Sequence, residues 1–292
     1  LFILPILAVA LFFDVQASQH LEADVAAADL ALAEAIALET DALLIKARQA
    51  VEAFARLPEV VDTDVAGMAE AFNMGAIARQ DINLFYRLDA GGIMVFHHPV
   101  GPGSTVGTDF SFRDYFQAAR VSTQAVFSRG RISPTTERPV VTVVMPIWRP
   151  GGEFDGVVAT NLELQRLTET LVVIGQDPDR GVQVTMVDAS GQIVAHSQPE
   201  GRLLTAAPFL DPSRARAGIG SVLAGERGSV VARDDVGREW LYSYAPISSA
   251  GWGVIVQRPT VIAMASARTF HRGLLLAMGV IALGAALFWW GL

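Results

Sequence analysis

The sequence predicts an α+β protein in which a long N-terminal helix precedes two tandem antiparallel-sheet modules, with a transmembrane helix at each end. Three observations support this fold class. Apolar segments without charged residues stand at both termini, a stretch without Gly or Pro runs from Asp14 to Leu57, and short motifs in the remainder recur about 100 residues apart. Because motifs that recur at a fixed spacing indicate a repeated structural unit, the third observation predicts two copies of one module.

The uncharged segments at the two ends predict membrane-spanning helices. Residues 1–13, LFILPILAVALFF, are apolar but shorter than the roughly 20 residues that cross a bilayer, so they predict the end of a truncated first transmembrane helix. A cleaved signal peptide is the alternative. Residues 263–292 predict the second transmembrane helix, since Gly273–Leu292 is uncharged and ends in Trp289 and Trp290, which suit a membrane interface. A buried core helix is the alternative there.

The charged residues lie between these apolar segments and give that region the composition of a soluble domain. All 22 basic and 30 acidic residues fall within residues 14–272, which excludes a protein that crosses the membrane many times. The net charge of −8 is uneven, because residues 14–57 hold eight acidic and three basic residues. A solvated helix face explains this acidity, and no basic patch predicts nucleic-acid binding. The absence of cysteine excludes disulfides and thiol catalysis.

Residues 14–57 predict one long stalk helix, because they lack Gly and Pro and are rich in Ala. A helix of this length needs a partner, which is either its own domain or the same helix of a second subunit. Side chains at alternating steps of four and three residues indicate a heptad-like seam, which predicts a homodimer. The members of the seam are Leu21, Val25, Ala28, Leu32 and Ala35. Pro58 is expected to end the helix.

The rest of the soluble region predicts two modules, at residues 58–175 and 176–262. Strand-like runs in both are joined by turns that contain Gly. The segment LDAGGIMVFH at residues 88–97 matches VDASGQIVAH at residues 187–196, and two further matches, MPI with API and GVV with GVI, follow in the same order. Three ordered matches predict a duplicated strand–turn–strand unit.

The sequence carries no recognisable catalytic motif, so this region is not expected to be an enzyme. It lacks a phosphate-binding Gly-rich run and a nucleophile elbow. Adjacent residues His97 and His98 on a strand face opposite ways, which disfavours a shared metal ion. We therefore expect no metal and no cofactor. His97 and His196 are equivalent in the repeat and are expected to be structural.

The densest group of chemistry-bearing residues is DFSFRDYF, from Asp109 to Phe116. A guanidinium can bind a carboxylate through two hydrogen bonds, and aromatic rings can form the walls of a pocket. Arg113, Tyr115 and Phe116 are therefore candidate ligand-binding residues. The alternative is a surface Arg beside two aromatic residues of the core.

This segment, together with RPVVTVVMP at residues 138–146 and DGVV at residues 155–158, resembles the double Cache domain, the extracytoplasmic sensor of bacterial transmembrane receptors. The resemblance covers about Asp14 to Pro259. It implies two PAS-like modules, of which the membrane-distal one usually holds the ligand. It also implies a protein of the bacterial inner membrane with residues 14–272 outside the cytoplasm.

The resemblance further implies roles for single residues. In the subgroup that binds amino acids, an Arg followed after one residue by two aromatics takes the carboxylate, which Arg113, Tyr115 and Phe116 match. An Asp of that subgroup takes the ammonium where this chain has Asn161, and an aromatic residue stands where this chain has Thr108. Because Asn offers no countercharge, the residues favour a small organic acid, or another neutral or anionic ligand, over an amino acid. From the strands that follow, Phe127 and Ser128 on one and Met145 and Ile147 on another are candidates to complete the pocket, of which Phe127, Ser128 and Met145 are taken as site residues. Alternation decides which of them point inward, and the sequence does not fix the register.

The resulting hypothesis is the ligand-sensing region of a transmembrane receptor. A carboxylate-bearing metabolite would bind the distal module and bias a signal to a cytoplasmic output domain, for which a histidine kinase is favoured over a chemoreceptor or diguanylate cyclase. The alternative is a module without a small ligand that dimerises or binds a periplasmic protein. No ligand is expected in the proximal module, since Arg214 and Arg216 there lack adjacent aromatic residues.

Overall fold

The structure, a computed structural model, describes residues 3–79, 81–177, 181–210, 219–234 and 236–263 and a few helical positions between 273 and 284. Side chains are described from position 20 onward, except at position 21. Most of the predicted second transmembrane helix therefore lies outside the described residues. Within the described ranges, no helix is both long enough and apolar enough to cross a membrane.

Helix α1 runs without a break from Ile3 to Phe54, over about 78 Å. Strands of two antiparallel sheets pack against it, which confirms the predicted architecture of a long helix with two sheet modules. The buried residues of the helix follow steps of three and four and so lie on one face. They are Asp29, Ala33, Ile36, Ala37, Thr40, Leu44, Ala47 and Val51. Of the two partners expected for this helix, the structure shows its own domain.

The predicted seam coincides only in part with this buried face. Val25 and Leu32 are partly buried, whereas Ala28 and Ala35 are exposed. The expectation that the acidic residues of α1 face solvent is wrong for Asp29, which is 2% exposed. Arg258 donates to its carboxylate through Nε, at 3.0 Å, and through Nη2. Asp29 is buried because a partner far along the sequence compensates its charge.

The N-terminal sheet contains six antiparallel strands in the order β2-β1-β6-β5-β3, with β4 paired to β5. Its strands are β1 Ile82–Leu88, β2 Met94–His98, β3 Val126–Phe127, β4 Arg131–Ile132, β5 Pro139–Trp148 and β6 Phe154–Glu163. Four helices accompany the sheet: α2 Pro58–Val61, α3 Val65–Ala78, α4 Asp114–Ala119 and α5 Leu164–Gly175. Pro58 is the first residue of α2, where a proline needs no hydrogen-bond acceptor.

The C-terminal sheet contains five antiparallel strands in the order β8-β7-β11-β10-β9. Its strands are β7 Gln183–Val187, β8 Ile193–His196, β9 Gly228–Arg233, β10 Glu239–Ile247 and β11 Trp252–Pro259, and α6 Thr260–Ala263 follows. Its order repeats the path β2-β1-β6-β5-β3 of the N-terminal sheet, and among the described strands β4 has no counterpart in it. The motif matches at an offset of about 100 residues therefore reflect a duplicated fold.

Each sheet has an inner face toward α1 and an outer face on the opposite side. Every second residue along the strands of the N-terminal sheet points to the inner face, and examples are Phe85, Val143 and Leu162. These side chains pack into the core that includes α1 and α3. On the outer face, Tyr86 and Ala159 belong to a separate cluster that also contains α4 residues. The period of two along each strand assigns side chains to these two cores.

A substitution at Gly156 tests the close backbone approach near the start of β6. Its φ is +96°, and a Cβ there would lie 2.1 Å from the carbonyl oxygen of Leu88. Gly151, in the turn before β6, has a φ of +111° but no atom within 4 Å of an added Cβ. We expect Gly156→Ala to lower the free energy of unfolding by about 2–4 kcal/mol more than Gly151→Ala, measured by urea unfolding. Equal losses in the two variants would contradict the close backbone approach.

Candidate functional site

The candidate site lies on the outer face of the N-terminal sheet, beside α4. Its lining residues are Leu84, Tyr86, Met94, Phe110, Tyr115, Arg131, Ser133, Pro134, Thr135 and Asn161. The cavity between them measures about 10 Å³, which is space for about one water molecule. Side chains therefore fill the site, and a larger ligand would have to displace them.

Helix α4 brings two aromatic residues onto this face. The backbone of Arg113 is extended and serves as the N-cap, so the helix begins at Asp114. Tyr115 and Phe116 follow, both at most 1% exposed. The ring of Phe116 meets that of Phe154 edge-on, with centroids 5.7 Å apart. Burial raises the pKa of Tyr115, and the nearby Tyr86 acts in the same direction, so the Tyr115 hydroxyl stays protonated.

Arg131 lies over Tyr115 and is the charged group of the cavity. Its guanidinium carbon is 4.8 Å from the centre of the Tyr115 ring, within the range of a cation–π contact. Its Nη2 donates to the hydroxyl of Thr142. Its Nε and Nη1 are buried and have no hydrogen-bond partner among the described residues. Two donors of a buried cation are therefore available to an acceptor.

A hydrogen-bond chain fixes the polar floor of the cavity. Thr142 donates through Oγ1 to Oδ1 of Asn161, at 2.7 Å, and Nδ2 of Asn161 donates to Oγ of Ser133, at 3.4 Å. Thr142 and Asn161 are direct partners in the β5–β6 ladder, and both are at most 1% exposed. Their positions are set by strand register, which makes the floor rigid.

Arg113 lies at the edge of the site. Its guanidinium carbon is 4.9 Å from the centre of the Phe112 ring and 6.0 Å from that of Phe110, which lines the cavity. Its Nε is also buried without a partner among the described residues. Two guanidinium groups with unused donors therefore flank the aromatic residues of the site.

The structure brings together only some of the residues expected from the sequence. Tyr115 and Asn161 line the cavity, Phe116 is buried beside it, and Arg113 lies at its edge. Phe127 and Met145 instead pack against the core on the inner face of the sheet. Alternation along β5 explains the placement of Met145, because Val144 belongs to the outer face.

Ser128 has a structural position between strands. It is 4% exposed, its Oγ accepts from the backbone N–H of Thr142 at 2.9 Å, and it donates to the carbonyl of Arg129 at 2.8 Å. Both hydrogen-bonding functions of this hydroxyl are thus used within the protein.

Sequence reasoning missed Arg131, Tyr86 and Met94. Once Asn161 is placed on the outer face, alternation also assigns Tyr86 to that face through the antiparallel β1–β6 pairing. Arg131 gave no such signal, because it follows an irregular segment between two strands of two residues each.

Thr142 offers a test of the hydrogen-bond chain. We expect Thr142→Val to lower the free energy of unfolding by about 1–3 kcal/mol, because the change orphans Asn161 and Arg131 without altering volume. Thr185 on β7 is the matched control, since it is also fully buried but its hydroxyl has no partner among the described residues. Thr185→Val is expected to be neutral or stabilising. Denaturant unfolding measures both, and a Thr142→Val protein as stable as wild type would contradict the chain.

Comparison with solved structures shows the same fold in bacterial receptors. The ligand-binding domain of the Pseudomonas fluorescens chemoreceptor CtaA, in complex with L-isoleucine, superposes with a TM-score of 0.66 at 18% identity, over 85% of this chain and 98% of that chain. The ligand-binding domain of the Pseudomonas aeruginosa amino-acid chemoreceptor PctC, in complex with GABA, gives 0.59 at 18% identity, over 78% and 96%.

A third similar structure is the extracellular domain of the histidine kinase candidate mmHK1S-Z2, with a TM-score of 0.63 at 14% identity, over 80% of this chain and 97% of that chain. No curated protein matches the sequence. The family model for the Cache domain matches residues 15–267. That match includes both sheets and nearly all of the region between the predicted membrane segments, so the chain belongs to the Cache domain family.

Proposed function

We propose that this chain is the extracytoplasmic sensing region of a transmembrane receptor and that it binds a small carboxylate-bearing metabolite on the outer face of the N-terminal sheet. Cache domains are ligand-binding sensor domains of membrane receptors, which supports the general role. The observation that carries the specific proposal is Arg131, whose Nε and Nη1 are buried and unpartnered beside Tyr115. A carboxylate is a strong acceptor for such a donor, because charge-assisted hydrogen bonds are roughly twice as strong as those between neutral groups.

The N-terminal sheet is proposed as the membrane-distal module. The early part of α1 contacts the C-terminal sheet, through Asp29 to Arg258 and through Glu34 to Arg227. The end of α1 contacts the N-terminal sheet, where Phe54 meets Phe85 edge-on with ring centroids 5.1 Å apart. If residues 1–13 enter the membrane, the C-terminal sheet lies next to it and the N-terminal sheet lies beyond.

Ligand entry is proposed to require Arg131 to move off the Tyr115 ring. A cation–π contact stabilises by about 0.5–2 kcal/mol, and charge-assisted hydrogen bonds to a carboxylate by about 1.5–3 kcal/mol each. The hydrogen bonds to the ligand therefore offset the lost contact with the ring, and the movement opens space that the closed cavity lacks. Because the Arg131 side chain moves when the ligand binds, ligand binding is coupled to a change in the conformation of the module.

An organic acid is favoured over an amino acid at this site. CtaA and PctC were solved with amino-acid ligands, and the ammonium of such a ligand needs a countercharge. Asn161 is neutral, and its Oδ1 already accepts from Thr142. No carboxylate is among the residues that line the cavity. Binding of amino acids and not of organic acids would overturn this part of the proposal.

A thermal-shift screen of organic and amino acids on the full chain in detergent tests the site. A ligand at 100 times its Kd is expected to stabilise the wild type by about 2.7 kcal/mol, and Arg131→Ala and Arg113→Ala should remove most of that shift. Arg129→Ala is the matched control, because Arg129 is exposed and pairs with Asp114 outside the cavity. Failure of every acid to stabilise the wild type, or full shifts in Arg131→Ala, would refute the proposed site.

The signalling arrangement we propose is a homodimer that passes the ligand signal to an output domain outside this sequence. A histidine kinase is favoured for that output, and the fold shared with mmHK1S-Z2 is consistent with it. The dimer contact is proposed on the exposed face of α1, which follows heptad steps. The residues of this face are Ala28, Ala31, Ala35, Leu38 and Ala42.

A charged residue introduced on that face of α1 tests the proposed dimer. Ala35→Arg should shift the full chain in detergent from dimer toward monomer in sedimentation velocity, because a buried unpaired charge is costly. Ala53→Arg, also exposed on α1 but outside the heptad steps, should leave the distribution unchanged. A wild type that stays monomeric at high concentration would rule out the dimer and favour a heterologous protein partner.

A further inference from the structure

A cavity of about 700 Å³ lies on the outer face of the C-terminal sheet. Its volume is in the range of small-molecule sites, whereas the cavity on the outer face of the N-terminal sheet measures about 10 Å³. Five of its lining residues carry the argument below: Ile193, His196, Arg202, Phe209 and Tyr242. The proximal module therefore offers space that the candidate site does not.

His196, at the end of β8, is 1% exposed and holds one tautomer. Its Nδ1 accepts from the backbone N–H of Gln198 at 2.7 Å. Burial lowers the pKa of His196 to about 4, and the positive charge of Arg202 acts in the same direction, so the ring is neutral at neutral pH. A neutral imidazole that accepts at Nδ1 carries its proton at Nε2.

The Nε2–H group of His196 faces a second donor. Nη1 of Arg202 lies 3.1 Å from Nε2, and a guanidinium has no acceptor atom. Two donor groups therefore face each other at 3.1 Å, which is too short for an acceptor to lie between them. Such a contact is unfavourable, and an acceptor that enters from the cavity and binds both groups would relieve it.

In the equivalent histidine of the N-terminal module, His97, both ring nitrogens have hydrogen-bond partners. Nδ1 of His97 is 2.9 Å from the carbonyl oxygen of Pro99, and its Nε2 is 2.9 Å from Oγ of Ser104. A carbonyl and a hydroxyl complete both nitrogens there. Nδ1 of His97 donates to that carbonyl, so its Nε2 accepts from the hydroxyl. In the C-terminal module the backbone N–H of Gln198 stands at Nδ1 in place of a carbonyl, so both ring nitrogens of His196 face a donor.

We propose that the C-terminal module binds a second small organic acid, whose carboxylate accepts hydrogen bonds from Nε2 of His196 and from the guanidinium of Arg202. This site is separate from the one proposed on the N-terminal sheet. It reverses the expectation of an empty proximal module, which considered only Arg214 and Arg216, and those two residues lie outside the described residues.

The walls of the cavity define the class of acid. Ile193, Phe209 and Tyr242 belong to one hydrophobic cluster and offer an apolar surface to the body of the ligand. The carboxylate of Asp234 is already engaged: it accepts from the side chain of Arg238 at 2.7 Å and from Nε1 of Trp240 at 3.1 Å. Among the described lining residues, no carboxylate is left to pair with an ammonium group of a ligand. The ligand is therefore an apolar monocarboxylate.

Nitrogen NMR of histidine side chains in the full chain in detergent tests this site, with phenylacetate as the probe. We expect saturable movement of the His196 Nε2 signal, which His196→Asn identifies by its loss. Phenylacetamide has the same shape without the charge and should bind at least about tenfold more weakly. Arg202→Ala should weaken phenylacetate binding by a similar factor.

Two control variants separate this site from its surroundings. Arg233→Ala should leave the Kd for phenylacetate unchanged, because Arg233 pairs with Glu239 and does not line the cavity. Arg131→Ala should also leave it unchanged, whether or not the N-terminal site binds an acid. No movement of the His196 signal, equal affinity for phenylacetamide, or an unchanged Kd in Arg202→Ala would each overturn the proposal. Loss of the signal change in Arg131→Ala would overturn it as well.

Discussion

The fold depends on one constraint: a single helix must bury one face against two separate sheets. The early part of α1 is fixed to the C-terminal sheet by Asp29, whose charge is compensated by Arg258 inside the contact. The end of α1 is fixed to the N-terminal sheet by Phe54, whose ring meets those of Phe72 and Phe85 at 5.3 and 5.1 Å. Removing one partner of a buried ion pair typically costs about 3–5 kcal/mol, so the first contact specifies position as well as stability.

The two modules share a strand order but differ in what fills their outer faces. In the N-terminal module, Arg131 lies on Tyr115 and closes the cavity around a polar floor. In the C-terminal module, the face is hollow and both ring nitrogens of His196 face donor groups, from Gln198 and from Arg202. The shared scaffold thus supports two electrostatic solutions: a cation that an aromatic ring holds in place, and a buried histidine whose N–H group has no acceptor among the described residues.

Local patterns in the sequence were sufficient to predict the long helix and the sheets but not the residues that line the candidate site. The absence of Gly and Pro predicted the long helix, because helix formation depends on neighbours within a few residues. Three motif matches in order, about 100 residues apart, predicted the duplicated sheets. Met145 and Asn161 show where this reasoning stops. They lie on opposite faces of the N-terminal sheet, and a shift of one residue in register would exchange the faces. The burial of Asp29 could not be predicted from local patterns either, because its partner Arg258 lies 229 residues further along the chain.

The continuity of α1 has a consequence for how the protein can change in length. A helix turns by about 100° and rises by about 1.5 Å for each residue. One inserted residue between the part that binds the C-terminal sheet and the part that binds the N-terminal sheet would swing the two modules out of phase. Seven inserted residues would nearly restore the phase but would separate the modules by about 10 Å. The number of residues along α1 therefore sets both the distance and the relative rotation of the two modules.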